Sequence, residues 1–157
     1  MNSEKSLVSW CIKNDIFGGA ETAVIDLLQR RSNVSDENVL LAAGLAIWAH
    51  RHGHPCVYLD ALERQISGEF VDEAKGSVPP RFPTSSALSA ALRSSPEVVR
   101  VVESAHLGTY HSAVADMRPL VLLNNLLFTQ RQFADELSIA EQLAARAKRS
   151  TNTKVDL

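Results

Sequence analysis

Apolar residues recur along this chain at two spacings, and the change from one to the other marks out its elements. Ala20, Val24, Leu27 and Leu28 fall at i, i+4, i+7 and i+8, one face of a helix over Ala20 to Arg31. Gly18-Gly19 breaks the chain before it. Arg30 and Arg31 suit its last turn, where the helix dipole favours cations, and Ser32-Asn33 reads as a loop. The run VLLAAGLAIWA, Val39 to Ala49, belongs to the clearest helix of the chain. Ser35 is placed to cap it, Asp36 and Glu37 occupy its first turn, and Gly53 stops it after about His52, because glycine tolerates the left-handed conformation. Val39, Leu40, Ala43, Ala46, Ile47 and Trp48 make this helix apolar nearly all round. Such a helix lies at the centre of a core, and Ile47 is expected among its most buried side chains.

His54-Pro55 ends the helix, and Cys56-Val57-Tyr58-Leu59 predicts a short strand. Ala61 to Ile66 adds a helical turn or two. Ser67 to Ser86, SGEFVDEAKGSVPPRFPTSS, carries Pro79, Pro80 and Pro83 and reads as a linker or exposed ordered loop. Thr84 or Ser85 caps a helix over Ala87 to Leu92. Ser95-Pro96-Glu97 offers a cap, a proline at the first helical position and an acid after it. That signal predicts a helix through Val98 to Val102, against the strand preference of the β-branched run. His106 to Met117 shows no period. Pro119 to Leu123 and Leu126 to Thr129 flank Asn124-Asn125 and read as a hairpin. Its type I′ turn needs positive φ at both central positions, which asparagine tolerates. A final helix, Gln130 to Arg149, carries a buried stripe of Phe133, Leu137, Ala140, Ala144 and Ala147, and the tail Ser150 to Leu157 frays. No internal repeat is present.

The pattern therefore predicts an α+β, predominantly α-helical fold in one domain, residues 1–157. Residues 20–66 form a helical core with a short strand, 67–86 the proline-rich loop, and 87–149 the helices, hairpin and final helix. The length of 157 residues suits one ordinary domain, and 45% apolar with 22% charged residues is a globular composition. The longest apolar run, eleven residues, is far short of the roughly 20 that span a bilayer. MNSEKSLVSW has no hydrophobic stretch of a secretory signal. Two cysteines, Cys11 and Cys56, are too few for a disulfide scaffold and predict reduced thiols in a cytoplasmic protein.

Charge and chemistry narrow the function classes. A net charge of −2 gives no strong basic field for nucleic acid. Arg30-Arg31, Arg51 and Arg146-Lys148-Arg149 are the candidate DNA contacts, yet without interleaved aromatics they read first as helix-end charges. His50, His52, His54 and Cys56 are the one cluster with metal-type side chains. His50 and His54 have the i, i+4 spacing of two ligands on a helix face, but Gly53 and Pro55 end the helix between and beside them. The plainer account makes them residues of a helix C-terminus, where positive charge is welcome. No lysine follows a glycine, so there is no phosphate loop, and Gly18-Gly19 lacks the rest of a dinucleotide fingerprint. No nucleophile elbow occurs. These patterns assign no catalytic, cofactor-binding or metal residue.

Three stretches in order carry a resemblance. Ser35 to Leu62, SDENVLLAAGLAIWAHRHGHPCVYLDAL, has an acidic cap, an alanine- and leucine-rich helix, a glycine turn and a short V-C-hydrophobe-D-L type strand. Ala87 to Val99, ALSAALRSSPEVV, follows the proline-containing stretch. Arg118 to Ala147, RPLVLLNNLLFTQRQFADELSIAEQLAARA, has a P-L-hydrophobe strand, a tight turn, a second strand and an arginine leading into a long helix. Together they resemble the N-terminal domain of the alpha subunit of exodeoxyribonuclease V, the RecD family, particularly its actinobacterial versions. Asn124-Asn125 stands for the usual turn glycines, and Phe128 for a common tyrosine. The family continues to a Walker A loop and two motor domains, so the resemblance carries no active-site residue onto any position of this sequence. It implies a noncatalytic domain, without cofactors, that docks a helicase subunit on a RecC-like gamma subunit of a RecBCD-type complex in double-strand-break repair and recombination. DNA contact would be weak or indirect, and membrane contact absent. The Ser67 to Ser86 loop and the hairpin at Asn124-Asn125 are the candidate contact regions. A small metal enzyme built on the histidine cluster, and a direct DNA-binding module, are the alternatives.

Overall fold

The computed structural model describes residues 6–62, 64–65, 78, 80–104 and 115–150. Helices α1 (Leu7–Lys13), α2 (Gly19–Arg31) and α3 (Glu37–Arg51) lead into strand β1 (Val57–Tyr58), a 3-10 turn (Leu59–Ala61) and helix α4 (Ser85–Arg93). Strands β2 (Val99–Val102), β3 (Leu120–Leu123) and β4 (Leu126–Thr129) follow, and then helix α5 (Gln130–Ser150). The fold is α+β and mostly helical, with the hairpin and long final helix in the predicted places. The tail from residue 151, most of the proline-rich loop and residues 106–114 lie outside the described residues, and α4 takes up the loop's predicted last two positions.

Helix α1 lies where the pattern predicts no element. Ser6 Oγ accepts from the Ser9 N–H at 3.2 Å, and Leu7, Val8, Trp10 and Cys11 are all buried. In α3 the cap is Asp36 rather than Ser35. Its carboxylate accepts from the N–H groups of Asn38 and Val39 at 2.8 and 3.4 Å, a charge-assisted cap that a hydroxyl cannot match. At the other end the Gly53 N–H donates to the His50 carbonyl at 3.1 Å and the His54 N–H to Ala49 at 2.9 Å. With Gly53 at φ +79, this is a Schellman stop.

Helix α3 is the hub, packed by α1, α2, α4 and β4. Leu41, Leu45 and Trp48 are fully buried, whereas Ile47, expected among the most buried, is only half-buried. A Cβ on Gly44 would lie 2.4 Å from the Phe17 ring, so only glycine admits this approach. The buried Glu21 carboxylate joins the same region. Its Oε2 accepts from the Gly18 N–H at 2.9 Å, and its Oε1 pairs with Arg51 Nε at 3.1 Å. Arg51 also donates to the Ile16 carbonyl at 2.8 Å.

The sheet order is β1-β4-β3-β2, with β2 and β3 parallel and the other pairs antiparallel. Strand β2 corrects the helix predicted through Val98 to Val102. Ser95 to Val98 make one turn, closed by the Val99 N–H on the Ser95 carbonyl at 2.9 Å. The Ser95 hydroxyl does not cap a new helix: it bonds back to the Ala91 carbonyl of α4 at 3.1 Å. With the cap spent, the β-branched run adopts its strand preference. The parallel pairing of β2 with β3 requires a crossover between them.

The register sorts the sheet into two faces. Val57, Val99, Val101, Leu120, Leu122 and Leu127 point into the core shared with α1–α4. Val102, Val121, Leu123, Leu126 and Phe128 point the other way, against Phe133 and Leu137 of α5. Helix α5 grows directly out of β4. The Thr129 hydroxyl accepts from the Gln132 N–H at 3.2 Å, while Gln132 Oε1 accepts from the Thr129 N–H at 3.1 Å, a capping box. Beyond Leu137 the predicted stripe is not buried: Ala140 and Ala147 are exposed and Ala144 half-buried, because only the helix's first two turns find sheet beneath them. The hairpin turn also departs from type I′. Asn124 has φ 53 but Asn125 is not at positive φ. Asn125 is held elsewhere, its carbonyl accepting from the Leu59 N–H at 3.0 Å.

Candidate functional site

The histidine cluster does not converge. His50 is exposed on the last turn of α3. His52 stacks on Trp48 with ring centroids 4.3 Å apart, and its Nδ1 lies 2.8 Å from the Trp48 carbonyl. His54 stacks more loosely on the same indole, at 6.5 Å. Cys56 is buried with Val121, Phe128 and Phe133 on the far face of the sheet, where burial pushes its thiol up from the ordinary value. Among the described residues no three His, Cys, Asp or Glu side chains are gathered to hold a metal ion. The Gly53 stop turns the chain as the spacing argument anticipates, and the rings serve the Trp48 stack instead. Both cysteines are free and buried, and burial raises the Cys11 thiol to about 12.

The two predicted contact regions meet. Asp60, in the 3-10 turn after β1, accepts from Ser85 Oγ at 2.7 Å through one carboxylate oxygen. It accepts from Asn125 Nδ2 at 2.8 Å through the other. These bonds, Ser85 first, hold its carboxyl below the usual carboxylate range. One side chain thus ties the start of α4, capped by Thr84, to the tip of the hairpin. Clefts of about 410 and 650 Å³ meet at Asp60, Thr84 and Ser85. Phe82 and Pro83 line the first, and Arg93 and Asn125 the second.

Beside this polar junction lies apolar surface. Tyr58 pairs in register with Leu126 on the outer sheet face, and Leu123 stands opposite Leu126 on β3. Tyr58 is 46% exposed, and Leu123 and Leu126 are half-buried. Asp60 and Asn125 adjoin this surface along the chain, Asn125 next to Leu126 and Asp60 two residues after Tyr58. Sequence reasoning named the two segments but not Asp60, which sits 25 residues from Ser85 and 65 from Asn125. No local pattern signals such a junction.

The basic residues are dispersed. Arg30 pairs with Asp26 and Arg51 with Glu21. Arg100 and Arg118 flank Asp116 at 3.6 and 2.6 Å, and Arg118 chiefly, by hydrogen bonding, draws the Asp116 carboxyl down to about 2. Arg146, Lys148 and Arg149 are exposed at the end of α5. No helix among the described residues is long and apolar enough to cross a membrane.

Residues 15–128 match a family model described as the RecBCD enzyme subunit RecD, N-terminal domain. No curated protein and no solved structure matches the chain.

Proposed function

The chain belongs to the RecD N-terminal domain family, and from that premise we propose that it is a noncatalytic docking domain, seating a RecD-type helicase subunit in a RecBCD-type complex for double-strand-break repair and recombination. The partner is the RecC-like gamma subunit, and the setting is the cytoplasm. Family membership carries the reading. The partly exposed outer-face residues Tyr58, Leu123 and Leu126 support it as the contact surface. A protein can cover that surface, whereas DNA has nothing to offer it. With a net charge of −2, DNA affinity stays in the non-specific range, roughly 10⁻⁴–10⁻⁶ M or weaker at physiological salt. Catalysis is not asked of this domain, since no phosphate loop occurs in its sequence.

The test is a titration of the chain with the gamma subunit and with duplex DNA, in one buffer at two salt concentrations. Tighter binding to the gamma subunit, little affected by salt, is expected. Submicromolar DNA binding that persists at high salt, with no gamma-subunit binding, would make the chain a nucleic-acid module. A DNA-stimulated ATPase activity of the purified chain would overturn the noncatalytic assignment.

A further inference from the structure

Past Leu137 helix α5 leaves the sheet, and a second line of side chains runs from Glu136, beside Cys56 and Tyr58, along its free half. Glu136, Ile139, Leu143 and Arg146 follow at spacings of 3, 4 and 3, which places them on one flank of the helix. That flank is about a quarter-turn from the line of Phe133, Leu137 and Ala140 that begins on the sheet. All four are exposed, Ile139 at 52% and Leu143 at 60%. Two large aliphatic side chains one turn apart, each more than half exposed, form a short apolar line between the two charges.

The order of the line says what covers it. Read in reverse, acid–aliphatic–aliphatic–base becomes base–aliphatic–aliphatic–acid at the same spacings. An antiparallel copy of the same helix, centred on Glu141, therefore sets Ile139 against the partner's Leu143 and Glu136 against the partner's Arg146. The second halves of the contact repeat the first by two-fold symmetry, which is the isologous condition. Both ends are then closed by opposite charges, and a parallel copy in register would oppose like charges instead. Among the described residues neither Glu136 nor Arg146 forms an ion pair within the chain. We infer that the chain self-associates through α5 as an antiparallel, two-fold symmetric helix pair. The contact is small, so the dimer is weak and reversible.

The proposal goes beyond the docking assignment and is tested on this chain alone. Sedimentation velocity over a wide concentration series reads the dimer. Leu143→Asp should abolish self-association. Glu136→Arg and Arg146→Glu should each weaken it roughly tenfold, since each places two like-charge contacts at the ends of the pair. The double reversal, Glu136→Arg with Arg146→Glu, restores the antiparallel charge match and should recover the wild-type affinity. All four positions are exposed, so circular dichroism should show an unchanged fold. A wild-type chain that stays monomeric across the series overturns the proposal. So does a dimer indifferent to Leu143→Asp, or one that the double reversal fails to restore. A monomeric result leaves the gamma-subunit reading to its own titration.

Discussion

The two faces of the sheet are built from the same alternating strands and end in different states. Toward α1–α4, Val57, Val99, Leu120, Leu122 and Leu127 are 0 or 1% exposed; α3 and α4 pack on these strands, and α1 and α2 pack on α3. Toward α5, only Val121, Phe128 and Cys56 reach full cover, beneath Phe133 and Leu137, while Tyr58, Leu123, Leu126 and Val102 keep solvent contact. Strand β3, Leu-Val-Leu-Leu, is apolar at every position, the pattern of a strand meant to be buried on both sides. The difference therefore lies in the cover and not in the strands: among the described residues the outer face is covered only in part.

That comparison breaks most directly at paired leucines. Leu122→Ala should cost about 2–5 kcal/mol, the range for emptying a fully packed site. Leu126→Ala, half-buried on the outer face, should cost about 1 kcal/mol. Chemical denaturation of both variants measures the contrast, and equal losses would show that the faces are not different in kind. Arg51→Met should cost about 2–3 kcal/mol. It strands the buried Glu21 carboxylate with the Gly18 N–H, and the half-exposed state of Arg51 keeps the loss below that of a fully buried pair.

A smaller effect sharpens the same contrast between layers. Gly44→Ala should destabilise by about 1–3 kcal/mol, although alanine is the better helix former, because the new methyl collides with the Phe17 ring. Ala140→Leu, on the overhang of α5, should leave the thermal midpoint nearly unchanged. The smallest effect is titrational. Asp116 has its carboxyl lowered from 3.8 to about 2 in the folded chain. A lowered folded value stabilises fully above the unfolded one, and the contribution is lost as pH falls from about 4 toward about 2. Asp116→Asn should therefore flatten the acid limb of the stability profile over that window while leaving its neutral-pH shape alone.

Much of this architecture is legible in local sequence. The Val39 to Ala49 run and Gly53 announce α3 and its stop, and Leu126 to Gln132 announce β4 and the helix that follows. Misreadings arise where a local signal competes with a tertiary one. Ser95-Pro96-Glu97 looks like a helix start, but its hydroxyl is engaged by Ala91 and the valines are wanted by the sheet. Ile47 and Ala147 fit apolar stripes, but burial depends on what lies opposite, which a stripe does not reveal. Helix α1 goes unpredicted because seven residues are too short for a period to stand out from scattered apolar residues. The candidate site was half visible: its two segments are exposed by composition, while Asp60 joins them through contacts that only folding creates.

The central claim is that the open outer face, not the helical layer, seats the gamma subunit. Titration of that subunit with two single variants tests it. Tyr58→Asp puts a charge on the most exposed residue of the patch, at the sheet's β1 edge, and Leu27→Asp puts one on α2, where Leu27 is 54% exposed. The account predicts a loss of roughly tenfold or more for Tyr58→Asp, the scale of an aromatic anchor removed from an interface, and wild-type affinity for Leu27→Asp. Undiminished binding by Tyr58→Asp, or a loss confined to Leu27→Asp, would contradict it.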